Sequence, residues 1–285
     1  MVYCDWVRVK WIRANQIRPH IPNLYTETGL VPIRYRRVTL TLKFLAYLLA
    51  QPPSAYVAAA YRDTLELATA GKPGWLSDLR RVLASLPSPV LVDAIDISDA
   101  AAVGALVKNV QLSCHTWLQG VIDVSPKTHL IRNRAQGSQP VSKFRQYLHV
   151  PDPKHRKALT RLLSSAHGLA VEKLRRVRDV HGGIIPRARR LCRFCELAVE
   201  DECHAMLDCR PNAQLLLLRE AFLADVSVPI RGYAAATGGS NYGLLLCLVA
   251  DPAVSRRLAK YVHELFCLFD DVALYRPPVL LLNAP

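Results

Sequence analysis

No apolar run in the chain approaches the roughly 20 residues that cross a bilayer. The longest, "GLLLCLVA" over 243–250, is the length of one buried element. The N-terminus "MVYCDWVRVKWIR" lacks the apolar stretch and small-residue cleavage site of a secretory signal. The expected location is therefore a reducing intracellular one, where cysteines stay thiols or bind metals. Catalytic signatures are also missing. "GGSNYG" (238–243) is glycine-rich without a P-loop lysine. Ser164 and Ser165 stand near His167 without an evident acid partner or the elbow glycines of a hydrolase. There is little alternating pattern and no internal repeat, which argues against a β-sandwich or a solenoid. With 51% hydrophobic and 21% charged residues, the 285-residue chain has enough apolar material for two modest domains.

Acidic residues are scarce in one place. Residues 127–193 hold 17 Lys and Arg against 3 Asp and Glu, a net of +14 that equals the charge of the whole chain. From 194 onward the balance reverses, with 7 basic and 11 acidic residues. A confined basic block points to a polyanionic partner, with a solvated helix face as the competing reading.

The periodicity is that of a mainly α protein built from helical hairpins. "IRYRRVTLTLKFLAYLLA" (33–50) sets Val38, Leu42, Leu45 and Leu49 at helical spacing. A second helix is expected from a cap at Ser54 to Gly71, making a helical hairpin. Residues 71–98, with Pro73, Pro87 and Pro89, read as a boundary around a short helix, and a long helix follows over 98–123. Residues 132–143 read as a basic loop. Residues 152–182 read as one or two basic helices burying Leu159, Leu162, Leu163, Leu169 and Leu174 and ended by Gly182-Gly183. Two further helices are expected in 211–226 and 252–275. The segments are thus 1–70, 71–126 as connector and helix, and 127–285.

The densest chemistry lies in "RLCRFCELAVEDECHAMLDC" (190–209), which carries the pattern Cys192-x2-Cys195-x8-His204-x4-Cys209. Two thiolates two residues apart chelate one ion from a tight turn. A His and a Cys from the start of the next helix complete a closed tetrahedron of the structural zinc kind. Cys203, beside His204, competes for either of the last two places. Glu196, Glu200, Asp201 and Glu202 read as an exposed acidic loop leading into a helix N-terminus. A redox role for Cys192 and Cys195 would need a βαβ setting that the sequence does not show. The Asp270-Asp271 pair reads as a solvated helix end, His115 as part of a helix interior, and His149, His155, His167 and His181 as too widely spaced to form a site.

Taken with its surroundings, "PRARRLCRFCELAVEDECHAMLDC" (186–209) resembles the zinc knuckle in the C-terminal part of LINE-type (non-LTR) retrotransposon reverse transcriptases, fungal ones in particular. "ETGLVPIRYRR" (27–37) is similar to the segment just downstream of their palm, and "LTRLLSSAHGLAVEKLRR" (159–176) to the helix before their knuckle. The resemblance runs through most of residues 20–275 and rests on the knuckle. It implies a thumb-like helical segment over 1–70 and a zinc-binding domain over 127–285. It also supplies an absence: the aromatic-x-Asp-Asp turn of a palm is missing, since Leu268 fills the aromatic place in "FCLFDDVALY" and this pair follows the knuckle. The chain then reads as a non-enzymatic remnant.

The expected function is a zinc-stabilised RNA- or DNA-binding module, with the nucleus favoured over the cytoplasm and neither membrane nor small-molecule substrate involved. Phosphate contacts are expected from Lys173, Arg175, Arg176, Arg178, Arg187, Arg189, Arg190 and Arg193. Arg175 and Arg178, one helical step apart, would track one backbone. Trp6, Trp11 and Tyr35 are candidates to stack on bases or to pack the first helices. The alternative is a helical protein–protein interaction module with a structural zinc.

Overall fold

The computed structural model describes residues 21–92, 99–133, 141–178 and 182–276. Trp6, Trp11, His181 and most of the 132–143 loop lie outside them. The fold is mainly α, and the described residues form no sheet, only two isolated antiparallel bridges, Arg178 with Ile184 and Leu191 with Val199. The helices are α1 (Ile21–Thr28), α2 (Ile33–Leu49), α3 (Tyr56–Thr69), α4 (Trp75–Ala84), α5 (Ala100–Val124), α6 (His129–Asn133), α7 (Pro153–Leu163), α8 (Ala170–Lys173), α9 (Ala213–Asp225), α10 (Ser227–Thr237), α11 (Asn241–Ala250) and α12 (Ser255–Asp270). None is long and apolar enough to cross a membrane. The chain divides into two compact units.

One unit is Tyr25–Val124 with Val141–Lys143. Its core forms because α2 and α5 each carry an apolar row at helical spacing. Tyr35, Val38, Leu42, Leu45 and Leu48 of α2 pack with Val103, Leu106, Val110, Cys114 and Leu118 of α5. Each fully buried leucine contributes about 1.5–3 kcal/mol. Tyr35 is buried against Trp117, ring centroids 5.9 Å apart, so it packs helices and offers no face to a base. Leu76, Leu79 and Leu83 of α4 join the same cluster, so the boundary at 71–98 runs through a continuous core. Asp99 caps α5 by accepting from the Ala101 and Ala102 amides at 2.7 and 2.8 Å. Helix α3 begins after Ala55, one residue beyond the expected Ser54 cap, and ends at Gly71, whose φ of +67° needs glycine. His115 is mid-helix on the exposed side of α5.

The other unit holds Ser125–Pro140 and Phe144 onward. Here α12 is central. It buries Leu258, Tyr261, Val262, Leu265 and Phe269 against α7 and α9, with Phe222 stacked on Tyr261 at 4.3 Å. Asp152 caps α7 and Pro153 opens it. The long basic helix expected over 152–182 does not form. Helix α7 stops at Leu163, Ser165 takes a left-handed φ of 46°, and the Ala166 amide returns to the Arg161 carbonyl at 2.8 Å. Such a closure normally uses glycine, and a serine there carries no sequence signal for a helix end. After Gly168, α8 is a single turn that tightens into a 3-10 turn over Leu174–Arg176. Leu159, Leu162, Leu163, Leu169 and Leu174 are all buried as expected. Helices α10 and α11 form a pair beyond the two C-terminal helices that the periodicity predicts; "GLLLCLVA" is part of α11, capped by Ser240.

Candidate metal centre

The 190–209 segment is shaped first by its own backbone hydrogen bonds. The Cys192 amide donates to the Ala198 carbonyl and the Glu196 amide to the Cys192 carbonyl, both at 2.8 Å, closing a tight turn in which Glu196 has a φ of +55°. The Phe194 amide points at Cys192 Sγ, 3.5 Å away, so backbone N–H partly solvates the thiol. Asp201 then caps the next turn, accepting from the His204 amide at 3.0 Å, as expected for an acid at a helix N-terminus.

That next turn is not α-helical. His204–Asp208 is a π-turn, closed by the Cys209 amide donating to the His204 carbonyl at 2.8 Å. On an α-helix, residues five apart lie about 140° around the axis, so an x4 spacing would aim the two side chains apart. The wider turn removes that conflict, in keeping with the tendency of π-bulges to occur at functional positions. Its carbonyls have buried donors: Arg219 Nε bonds the Met206 carbonyl at 2.8 Å and the Tyr261 hydroxyl bonds it at 2.5 Å.

Ligand atoms of Cys192, Cys195, His204 and Cys209 thereby come within 4.8 Å of one another, and this Cys3His group could hold a metal ion. Cys192 Sγ and Cys209 Sγ are 3.7 Å apart, and Cys195 Sγ lies 3.3 Å from His204 Nε2. Cys192 and Cys209 are buried; Cys195 and His204 are partly exposed. The bond from Cys209 pulls the Cys192 thiol well below the usual thiol range, and the same bond pushes Cys209 up. Burial disfavours a charged His204, yet its contact with Cys192 raises it above the usual histidine value. Cys203 stands apart from this set. Its thiol faces Asp208 at 3.6 Å, and burial together with that carboxylate pushes it up to about 12.

The acidic run between the ligand pairs departs from the expectation of an exposed loop. Glu196 is exposed, but Glu200 and Glu202 are buried. Glu200 accepts from Arg193 Nη2 at 2.7 Å, from the Arg193 amide at 2.9 Å and from the Ala170 amide at 2.7 Å. Glu202 receives His167 Nε2 at 2.8 Å and faces His129 Nε2 at 3.6 Å. Burial opposes its charge, but the two imidazoles hold the Glu202 carboxyl well below the usual range. His167 therefore has the acid partner that was missing from the sequence reading. The unit is held to its knuckle by these five residues, none of which the spacing pattern singles out.

The eight expected phosphate contacts separate into four exposed residues, three half-buried ones and the buried Arg193. Lys173, Arg176, Arg178 and Arg187 are exposed, although Arg187 pairs with Asp201 at 2.7 Å and Arg178 Nη1 donates to the Gly182 carbonyl. Arg175, Arg189 and Arg190 are half-buried. Arg175 pairs with Glu172 at 3.2 Å, and Arg190 donates to the Val171 and Ile185 carbonyls. Arg193 is a correction. Its guanidinium is buried, bound to Glu200 and to the carbonyls of Gly168, Phe269 and Val272, so it closes the C-terminal end of α12 and is unavailable to phosphate. Arg175 and Arg178 do not share a helix, because Arg178 lies beyond the 3-10 turn in the bridge to Ile184. Asp270 ends α12 and Asp271 caps it, both exposed, as a solvated helix end should be. Compared with known protein families, with curated proteins and with solved structures, the chain matches none.

Proposed function

We propose that the chain is a non-catalytic nucleic-acid-binding module stabilised by zinc, of the kind that follows the palm in LINE-type reverse transcriptases. The observation that carries the metal assignment is the donor spacing. A tetrahedral zinc with sulfur at about 2.3 Å and nitrogen at about 2.0 Å holds sulfur pairs about 3.8 Å apart and sulfur–nitrogen pairs about 3.5 Å apart. The 3.7 Å between Cys192 and Cys209 and the 3.3 Å between Cys195 and His204 fit that figure. Three soft thiolates with an imidazole favour zinc over hard cations. With four protein donors the ion has no open position, so its role is structural: it would hold the turn at Cys192–Cys195 to the π-turn at His204–Asp208.

Lys173, Arg176, Arg178 and Arg187, exposed in the stretch that leads into this knuckle, supply the contact surface for phosphate. Their affinity would be salt-dependent and largely indifferent to sequence. The test is fluorescence anisotropy with labelled single-stranded RNA and DNA across roughly 50–200 mM salt. Four contacts predict a slope of log affinity against log salt of about −3, and Arg176→Gln or Arg187→Gln each reduce its magnitude by about 0.7. Absence of binding at low salt, or a slope that these variants leave unchanged, would refute the reading.

A further inference from the structure

Helix α2 has a second apolar row that the described residues leave more than half exposed. Ile33, Leu40, Phe44 and Tyr47 are 60%, 56%, 52% and 53% exposed, although the opposite side of the same helix forms the unit's core. Their spacing is that of a helix-pairing seam: Ile33, Leu40 and Tyr47 recur every seven residues, with Arg37 and Phe44 filling the alternate position. The row borders a cleft of about 520 Å³ between α2 and α4, lined by Ile33, Val38, Trp75, Leu79 and Val82. Phe44 meets Trp75 edge-to-face with ring centroids 6.1 Å apart, which makes one continuous apolar surface from α2 to the start of α4.

The charges that α2 itself sets around this seam have one sign. Arg34, Arg36, Arg37 and Lys43 are all exposed, and α2 contains no acidic residue. The one acid on the cleft rim, Asp78, pairs with Arg81 at 3.2 Å. We propose that the α2–α4 face docks an amphipathic helix of a partner protein, with leucine-like anchors in the seam and acidic residues on its flanks. Flanking charges of this kind select the partner in paired helices. A second copy of α2 would set these four cations against four more. A nucleic acid would use Phe44 and Tyr47 for stacking but would leave Ile33 and Leu40 against phosphate. This face belongs to a different unit from the Cys3His group, and the proposal stands independently of the zinc reading.

The probe is a labelled synthetic helix of about three heptads with leucine at both seam positions and glutamate at both flanks. Titrated with the full chain, it binds with a Kd on the order of micromolar, and the same peptide with lysine flanks binds at least about tenfold more weakly. Phe44→Ala weakens the acidic peptide about tenfold, and Arg36→Glu with Lys43→Glu abolishes its binding. Thermal melts check that these surface variants remain folded. Equal affinity for the two peptides, no binding, or indifference to Phe44→Ala overturns the proposal. So does a wild-type dimer in sedimentation that Leu40→Asp dissolves, which would give the face to a second copy. Displacement of the peptide by a single-stranded oligonucleotide whose own binding is lost in Phe44→Ala would give it to nucleic acid.

Discussion

Arg193 and Glu200 form a buried ion pair, Nη2 to Oε1 at 2.7 Å, and its two halves reach different neighbours. Arg193 carries the pair to the carbonyls that end α12, and Glu200 carries it to the first amide of α8. Gly168 makes the junction possible: its carbonyl accepts from Arg193 at 2.9 Å, and a Cβ there would sit 2.6 Å from Asp270 Oδ1. A buried pair with all its remaining donors and acceptors satisfied leaves an uncompensated charge if one member is removed.

Glu200→Gln and Arg193→Met are therefore each expected to destabilise the chain by about 3–5 kcal/mol, and the double variant by clearly less than their sum. Urea unfolding of the four proteins measures this. Additive costs would mean that the two side chains act independently.

The Glu202 cluster makes stability depend on pH. Burial disfavours the His129 cation, but its bond to Glu202 raises it above its unfolded value near 6.5. A raised histidine stabilises fully below that value, and its contribution is lost as pH rises through the folded one. Glu202, held low, stabilises above its unfolded value of 4.5 and loses its contribution as pH falls through the folded one. Asp201 also acts on His129 and favours its charge. The stability gap between wild type and His129→Gln is expected to be widest between about pH 5 and 6 and to narrow as pH rises beyond about 6.5. A gap that does not change from pH 5 to 8 would show that folding leaves the His129 pKa where it is in the unfolded chain, and a gap that shrinks toward pH 5 would show that His129 stays neutral.

Tyr261→Phe removes one of the two donors to the Met206 carbonyl in the π-turn, keeps Arg219 as the other, and leaves the Phe222 stack in place. The expected cost is about 1–1.5 kcal/mol, read from a thermal melt. If the turn also sets ligand geometry, metal affinity falls in the same variant.

The legible parts of the chain were the local ones. Cys192, Cys195, His204 and Cys209 are close in sequence, so their spacing alone announced the cluster, and the leucines of α7 followed from periodicity. Burial of Glu202 was not legible because its partners, His167 and His129, are far upstream, and four acids in seven residues look like solvation. Arg193 read as one of a run of surface cations for the same reason, its contacts at Phe269 and Val272 being 76 and 79 residues away. The break after α7 was hidden because Ser165, not glycine, adopts the left-handed turn. The exposed row on α2 was masked by the stronger periodicity of its buried face.

The most direct measurement is the metal content of the purified chain by elemental analysis, for wild type, Cys192→Ser and Cys203→Ser. The account predicts about one zinc per chain in wild type and in Cys203→Ser, whose thiol faces Asp208, and loss of the metal together with a large drop in thermal stability in Cys192→Ser. A wild-type chain that is folded and free of metal, or a Cys203→Ser variant that loses its zinc, would contradict the assignment.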